Sequence, residues 1–206
     1  MLLILDNKVS KEDKLSFSNN IIRVLKKYNI PYIRVDKVKE IDFKKIKGII
    51  ITGSTLKLSK ISKNCDYYDY GFNFYYLSKL DVPVYGICFG CQLLNILYGG
   101  TLIDNKKYIC GDYQLDKFKN QNNLFDNISI GTEFHFCFSD IVIPKKNIGV
   151  KPFASIKYNN KIYDCGFVFE KNKVFGVLFH AEFYDETDRI FLNFYEICKK
   201  YKGCNK

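Results

Sequence analysis

The sequence predicts an α/β fold in a single domain: a mostly parallel central sheet flanked by helices, with an antiparallel hairpin region in its second half. Three observations predict it. Apolar runs without alternation, as expected of strands covered on both faces, recur at 2–5, 48–52 and 82–87. Segments with helical spacing of apolar residues alternate with these runs. From 101 to 170 the texture changes to short strand-like runs divided by Asn, Gly and Lys turns.

The opening Leu2-Leu3-Ile4-Leu5-Asp6 reads as a buried strand. Ser10-Lys11-Glu12-Asp13 resembles a capping box, with Asp at its last position, and Leu15, Ile21, Ile22, Leu25 and Tyr28 follow at helical spacing. Asn29 and Pro31 stop that helix, and residues 31–36 give a second strand. Gly48-Ile49-Ile50-Ile51-Thr52 is a third strand, ending at Gly53-Ser54. A polar stretch and an aromatic cluster at 67–76 lead to a fourth strand at 82–87, and Leu93 to Leu97 are helical. Residues 129–143 and 161–173 read as hairpin strands. Lys173 to His180 is the last strong strand, and Asp185 to Tyr201 closes the chain as an amphipathic helix.

The chain has 206 residues, enough to bury a core without staples. With 47% hydrophobic and 17% aromatic residues, a disordered chain is not expected. No repeat, linker or composition break appears, so residues 1–206 are expected to form one domain. Thirty-two basic against 22 acidic residues give a formal charge of +10. Scattered lysines fit a solvated basic surface better than a nucleic-acid site, and nucleic acid is not expected as a partner. The chain opens on an apolar run too short for a signal peptide, and no run is long enough to span a membrane. A cytoplasmic protein with mostly reduced thiols is the expectation for the eight cysteines.

The chemistry concentrates at Gly86-Ile87-Cys88-Phe89-Gly90-Cys91-Gln92, where a buried strand runs into Gly-x-Cys-x-Gly and then an apolar helix. This is the pattern of a nucleophile elbow with Cys in the nucleophile position. Glycines on either side relieve a turn that bulky neighbours would obstruct. A helix N-terminus aimed at the sulfur favours the thiolate, and the Phe89 amide is a candidate oxyanion donor. Cys88 and Cys91 also form a CxxC, which a redox pair would share, and a buried cysteine is often only a small hydrophobe. A zinc site needs a second ligand pair that the isolated remaining cysteines do not supply, so no metal and no cofactor is expected.

Of the two histidines, His180 ends the last strong strand, at the strand end where open parallel sheets gather their chemistry. Glu182 lies two residues on, close enough to orient the imidazole. His135 sits inside an alternating strand and reads as an exposed or satisfied strand histidine.

At these residues the sequence resembles the class I glutamine amidotransferases, whose glutaminase uses a Cys-His-Glu triad. Gly86, Cys88, Gly90 and Gln92 match the family's elbow; Gly176, Phe179, His180 and Glu182 match its late motif. The resemblance implies Cys88 as nucleophile, His180 as general base and acid, and Glu182 as orienter. It places Gln92 against bound glutamine and aligns the oxyanion loop with Gly53, Ser54 and Thr55. Departures are Leu178 for the usual Gln, Ala181 for Pro, Ser54-Thr55 for Gly-Pro, and Phe138 where the family often has His, with Asp140 kept.

The function so implied is hydrolysis of the glutamine side-chain amide through a Cys88 thioester, supplying ammonia to a separate synthetase subunit. Two alternatives remain: a γ-glutamyl peptidase or hydrolase on the same triad, and a non-catalytic regulatory module of the same fold.

Overall fold

The computed structural model describes residues 1–8, 17–60, 70–118, 123–129, 131–145, 149–170 and 173–202. The first half alternates strand and helix: β1 (Leu2–Leu5), α1 (Phe17–Lys27), β2 (Tyr32–Val35), β3 (Gly48–Ile51), α2 (Gly71–Lys79), β4 (Val84–Ile87) and α3 (Phe89–Leu97). The second half is mostly strand: β5 (Thr101–Gln114), β6 (Lys117–Phe118), β7 (Glu133–Ile143), β8 (Lys151–Tyr158), β9 (Lys161–Glu170), β10 (Val174–Val177) and β11 (Phe179–His180), before α4 (Arg189–Lys200).

An eight-stranded sheet has the order β2-β1-β3-β4-β10-β9-β8-β6. Its first five strands are mutually parallel. β9, β8 and β6 then continue it antiparallel. Every residue of β1, β3, β4 and β10 is buried, which is why their sequences carry no alternation. The hairpins expected of the second half are therefore divided. One pair extends the main sheet, while β5 and β7 join β11 in a separate three-stranded antiparallel sheet.

Residues 173–180, read from the sequence as one strand, are two. Leu178, fully buried, still bonds the main sheet, donating its amide to the Cys165 carbonyl of β9 at 2.8 Å, and the departure comes just after it. The chain there leaves the main sheet, and Phe179 and His180 pair instead with Phe136 and His135 of β7. This crossing brings His180 from the second sheet to the end of the first.

Three further expectations are adjusted. The aromatic cluster at 67–76 enters the described residues at Tyr70 and continues into α2, which buries Phe72 and Tyr76 one turn apart. α3 begins at Phe89, immediately after Cys88, and α4 begins at Arg189. The capping-box segment Ser10–Asp13 and Leu15 lie outside the described residues, as do Cys65 and Cys204. The thiol expectation is corrected at one pair: Cys110 and Cys137 face each other across β5 and β7 and form a disulfide. Adjacent-strand register, which spacing along the chain does not reveal, brings them together. Cys88, Cys91, Cys165 and Cys198 are free.

Candidate active site

Cys88 sits between β4 and α3 with φ 50° and ψ −104°, a backbone conformation that side chains other than glycine rarely adopt. The surrounding chain holds it there. The Cys88 amide donates to the Val177 carbonyl at 2.7 Å, and the Gln92 amide donates to the Cys88 carbonyl at 3.1 Å. The elbow is closed too tightly for side chains at its glycines: a Cβ on Gly86 would lie 2.7 Å from the Gly90 carbonyl. Gly90 in turn packs on the Ile51 backbone. The Phe89 amide is at the first residue of α3, where an N–H has no acceptor within the helix. Sγ itself donates to the Cys137 carbonyl at 3.8 Å.

His180 and Glu182 are buried together, with Nδ1 of the imidazole 2.8 Å from Oε1 of the carboxylate. Burial works against the imidazolium. The Glu182 charge outweighs it, with the nearby Cys88 side chain and the hydrogen bond to Glu182 adding to the effect, and holds the His180 pKa up to about 10. With Nδ1 taken by Glu182, Nε2 is the nitrogen left for Cys88; it is buried and has no hydrogen-bond partner. Oε2 of Glu182 is likewise buried and unpartnered, so the imidazolium is the charge that compensates this carboxylate. Phe17, the first residue of α1, stacks on the His180 ring at 4.8 Å between centroids and 17° between planes. Gly53 lies against the same ring, where a Cβ would stand 3.0 Å from Cε1.

A cavity of about 180 Å³ opens beside the sulfur and is lined by Cys88, Ser54, Lys57, Gln92, Tyr108 and the β7 segment 137–140. Gln92 Nε2 donates to the Asp140 carbonyl at 3.2 Å, and Asp140 accepts from the Ser59 amide at 2.7 Å and its hydroxyl at 2.6 Å. Those bonds fasten the loop after β3 to β7 and so fix two walls of the cavity.

A family profile for "Glutamine amidotransferase class-I" matches residues 10–198. The chain belongs to the class-I glutamine amidotransferases. It is 29% identical over 194 residues to a glutamine-hydrolysing GMP synthase of Dictyostelium discoideum, covering 90% of this chain and 25% of that protein. It is 30% identical over 133 residues to a subunit of the glutamine-hydrolysing GMP synthase of Methanobrevibacter smithii, covering 63% and 66% of the two chains. The chain thus spans a quarter of the first relative's length. In fold it resembles a protein of Thermoplasma acidophilum assigned as a GMP synthase subunit, with a TM-score of 0.76, 19% identity and 98% and 94% coverage.

Within this amidotransferase the structure brings Cys88, His180 and Glu182 together, with Phe89 at the elbow and Ser54 and Gln92 on the cavity wall. Gly53 is not among the cavity-lining residues and instead supports the histidine ring. Leu178 and Ala181 are fully buried, and Phe138 is a buried part of the cavity wall. His135 is separate: its Nδ1 lies 2.8 Å from Asp112, which also accepts from the Tyr184 hydroxyl at 2.8 Å. Cys91 is fully buried, with its sulfur against Gly176, and burial pushes its thiol well above the usual range.

Sequence reasoning missed Phe17, Lys57 and Tyr108, which approach the site from α1, the loop after β3 and β5. A lone Phe, Lys or Tyr in such segments carries no signal until the topology is known. Among the described residues, no group of three His, Cys, Asp or Glu side chains is placed to hold a metal ion, and no helix is long and apolar enough to cross a membrane.

Proposed function

We propose that residues 1–206 form a glutaminase unit that hydrolyses the side-chain amide of glutamine at Cys88. The observation that carries this reading is the buried Cys88–His180–Glu182 arrangement on a strained elbow beside a small cavity. Sγ loses its proton to His180 and attacks the amide carbon as a thiolate. The Phe89 amide and an amide of the Gly53–Ser54 loop stabilise the oxyanion. His180, as imidazolium, gives its proton to the leaving nitrogen, and ammonia departs from a γ-glutamyl thioester on Cys88. His180 then takes a proton from water, which attacks the thioester and releases glutamate. Glu182 keeps the ring oriented and its charge compensated throughout.

In this reading the ammonia passes to a synthetase unit outside this sequence, of the GMP synthase kind that the relatives' names indicate. A cytoplasmic setting belongs to the reading, which requires Cys88 itself to stay unoxidised, as it is here beside the Cys110–Cys137 disulfide, because only a free thiol is a nucleophile. The test is ammonia release from L-glutamine by the purified chain, alone and with an added synthetase subunit of a GMP synthase. Ammonia at a rate that the subunit raises supports the proposal. A folded chain that releases ammonia under neither condition contradicts it.

A further inference from the structure

Among its described residues, the cavity wall carries one cation. Among the lining residues Lys57 is the sole Lys or Arg, and its side chain is largely buried there. Two groups hold it: an ion pair with Asp104 of β5, and the face of Tyr108, whose ring centroid lies 5.8 Å from Nζ. The Asp104 carboxylate, through its hydrogen bond and then its charge, keeps the ammonium protonated, with Asp140 adding to the effect. Asp140 itself is already engaged by Ser59, so it does not compete as a second ion-pair partner. Asp104 has further donors in the Lys106 amide at 2.8 Å and the Lys106 ammonium at 3.2 Å, so it stays satisfied if Lys57 turns toward a ligand. An ammonium has three donors and no acceptor, which leaves Lys57 capacity for an anion in the cavity.

A substrate whose amide carbon reaches Cys88 presents its α-amino acid head to the rest of the same small cavity. We propose that Lys57 is a specificity-determining residue that binds the α-carboxylate of a γ-glutamyl substrate, and that Asp104 is the positioning residue that aims it. This inference rests on the γ-amide hydrolysis proposed above. A different role is open to the same pair: a latch that merely ties the loop after β3 to β5.

The two roles separate with two substrates, L-glutamine and 4-aminobutanamide, which is glutamine without its α-carboxylate. Ammonia release is measured for the wild type, Lys57→Met and Asp104→Asn. Lys57→Met raises KM for L-glutamine by roughly 10- to 100-fold, the size of one lost charge-assisted hydrogen bond, and changes kcat much less. It also erases most of the preference for L-glutamine over 4-aminobutanamide. Asp104→Asn breaks the same ion pair but leaves the ammonium in the cavity, so it keeps that preference even where it raises KM. Lys57→Gln repeats the measurement if the Met variant does not fold. A preference retained in the Lys57 variants, or equal losses on both substrates from Lys57→Met and Asp104→Asn, overturns the carboxylate role. A folded wild type that hydrolyses neither amide overturns the underlying reading and this inference with it.

Discussion

The protein's two histidines lie on paired strands, with ring centroids 6.2 Å apart and each ring 2.8 Å from a carboxylate. His180 and His135 are register partners of β11 and β7, so they differ in surroundings rather than in local backbone. His180 is buried, faces a sulfur on one side and a buried carboxylate on the other, and is clasped by Phe17. His135 is partly exposed, and its carboxylate, Asp112, is exposed and shared with Tyr184. The contrast teaches that a His–carboxylate contact does not by itself make a reactive histidine. On the proposed reading, what makes one reactive is exclusion of water, which magnifies the carboxylate's field, and a nucleophile near the remaining nitrogen.

The largest expected difference is between the two sets of side chains themselves. Cys88→Ala and His180→Ala each lower glutamine turnover by roughly 10⁴-fold or more, as for removal of members of other nucleophile–base units. Steady-state ammonia release measures it, and a loss of only a few fold from either variant breaks the contrast. Glu182→Gln comes next. It keeps an acceptor of similar shape but removes the charge. Turnover falls by roughly 10- to 10³-fold, less than the 10⁴ seen where a serine must be activated, because a thiol ionises more readily. Its pH profile sharpens the point. The wild-type alkaline limb reflects loss of the imidazolium near the His180 value of about 10, and removing the carboxylate moves that limb to lower pH.

A smaller effect concerns stability. The folded state holds the His180 proton up to about 10, while the unfolded chain releases it near the ordinary 6.5. The contribution is therefore complete below 6.5, fades as pH rises from 6.5 to about 10, and is absent above. Melting temperatures across that range should fall more steeply for the wild type than for His180→Gln; parallel curves would show that the proton is not bound on folding. Smallest of all, His135→Ala and Cys91→Ala each leave turnover within about threefold, in line with surface or volume-conserving changes outside a reacting unit. A loss from Cys91→Ala matching that from Cys88→Ala would instead restore a redox role for the pair.

Much of this site was legible because its residues are neighbours in sequence. Gly86, Cys88 and Gly90 constrain one turn, and His180 and Glu182 are two residues apart, so local chemistry exposes both. The parallel strands were legible for a related reason: Ile49 to Ile51 and Leu2 to Leu5 are buried on both faces and show it in composition. The crossing at Leu178 was not legible. Val177, Leu178 and Phe179 are all fully buried, and hydrophobicity does not record which sheet accepts a strand's hydrogen bonds. The same limit hid the Cys110–Cys137 pair and the Lys57–Asp104 wall, both of which depend on how segments far apart in sequence are brought together.

Activation of Cys88 by its surroundings, and of no other thiol, is what the whole reading turns on. The most direct measurement is labelling with 6-diazo-5-oxo-L-norleucine, a glutamine-shaped electrophile, followed by intact-mass analysis and peptide mapping in the wild type and in His180→Ala. One label per chain is expected, on the peptide bearing Cys88, blocked by excess L-glutamine and greatly slowed in His180→Ala. Labelling spread over Cys91, Cys165 and Cys198, or labelling of Cys88 at the same rate without His180, would contradict it.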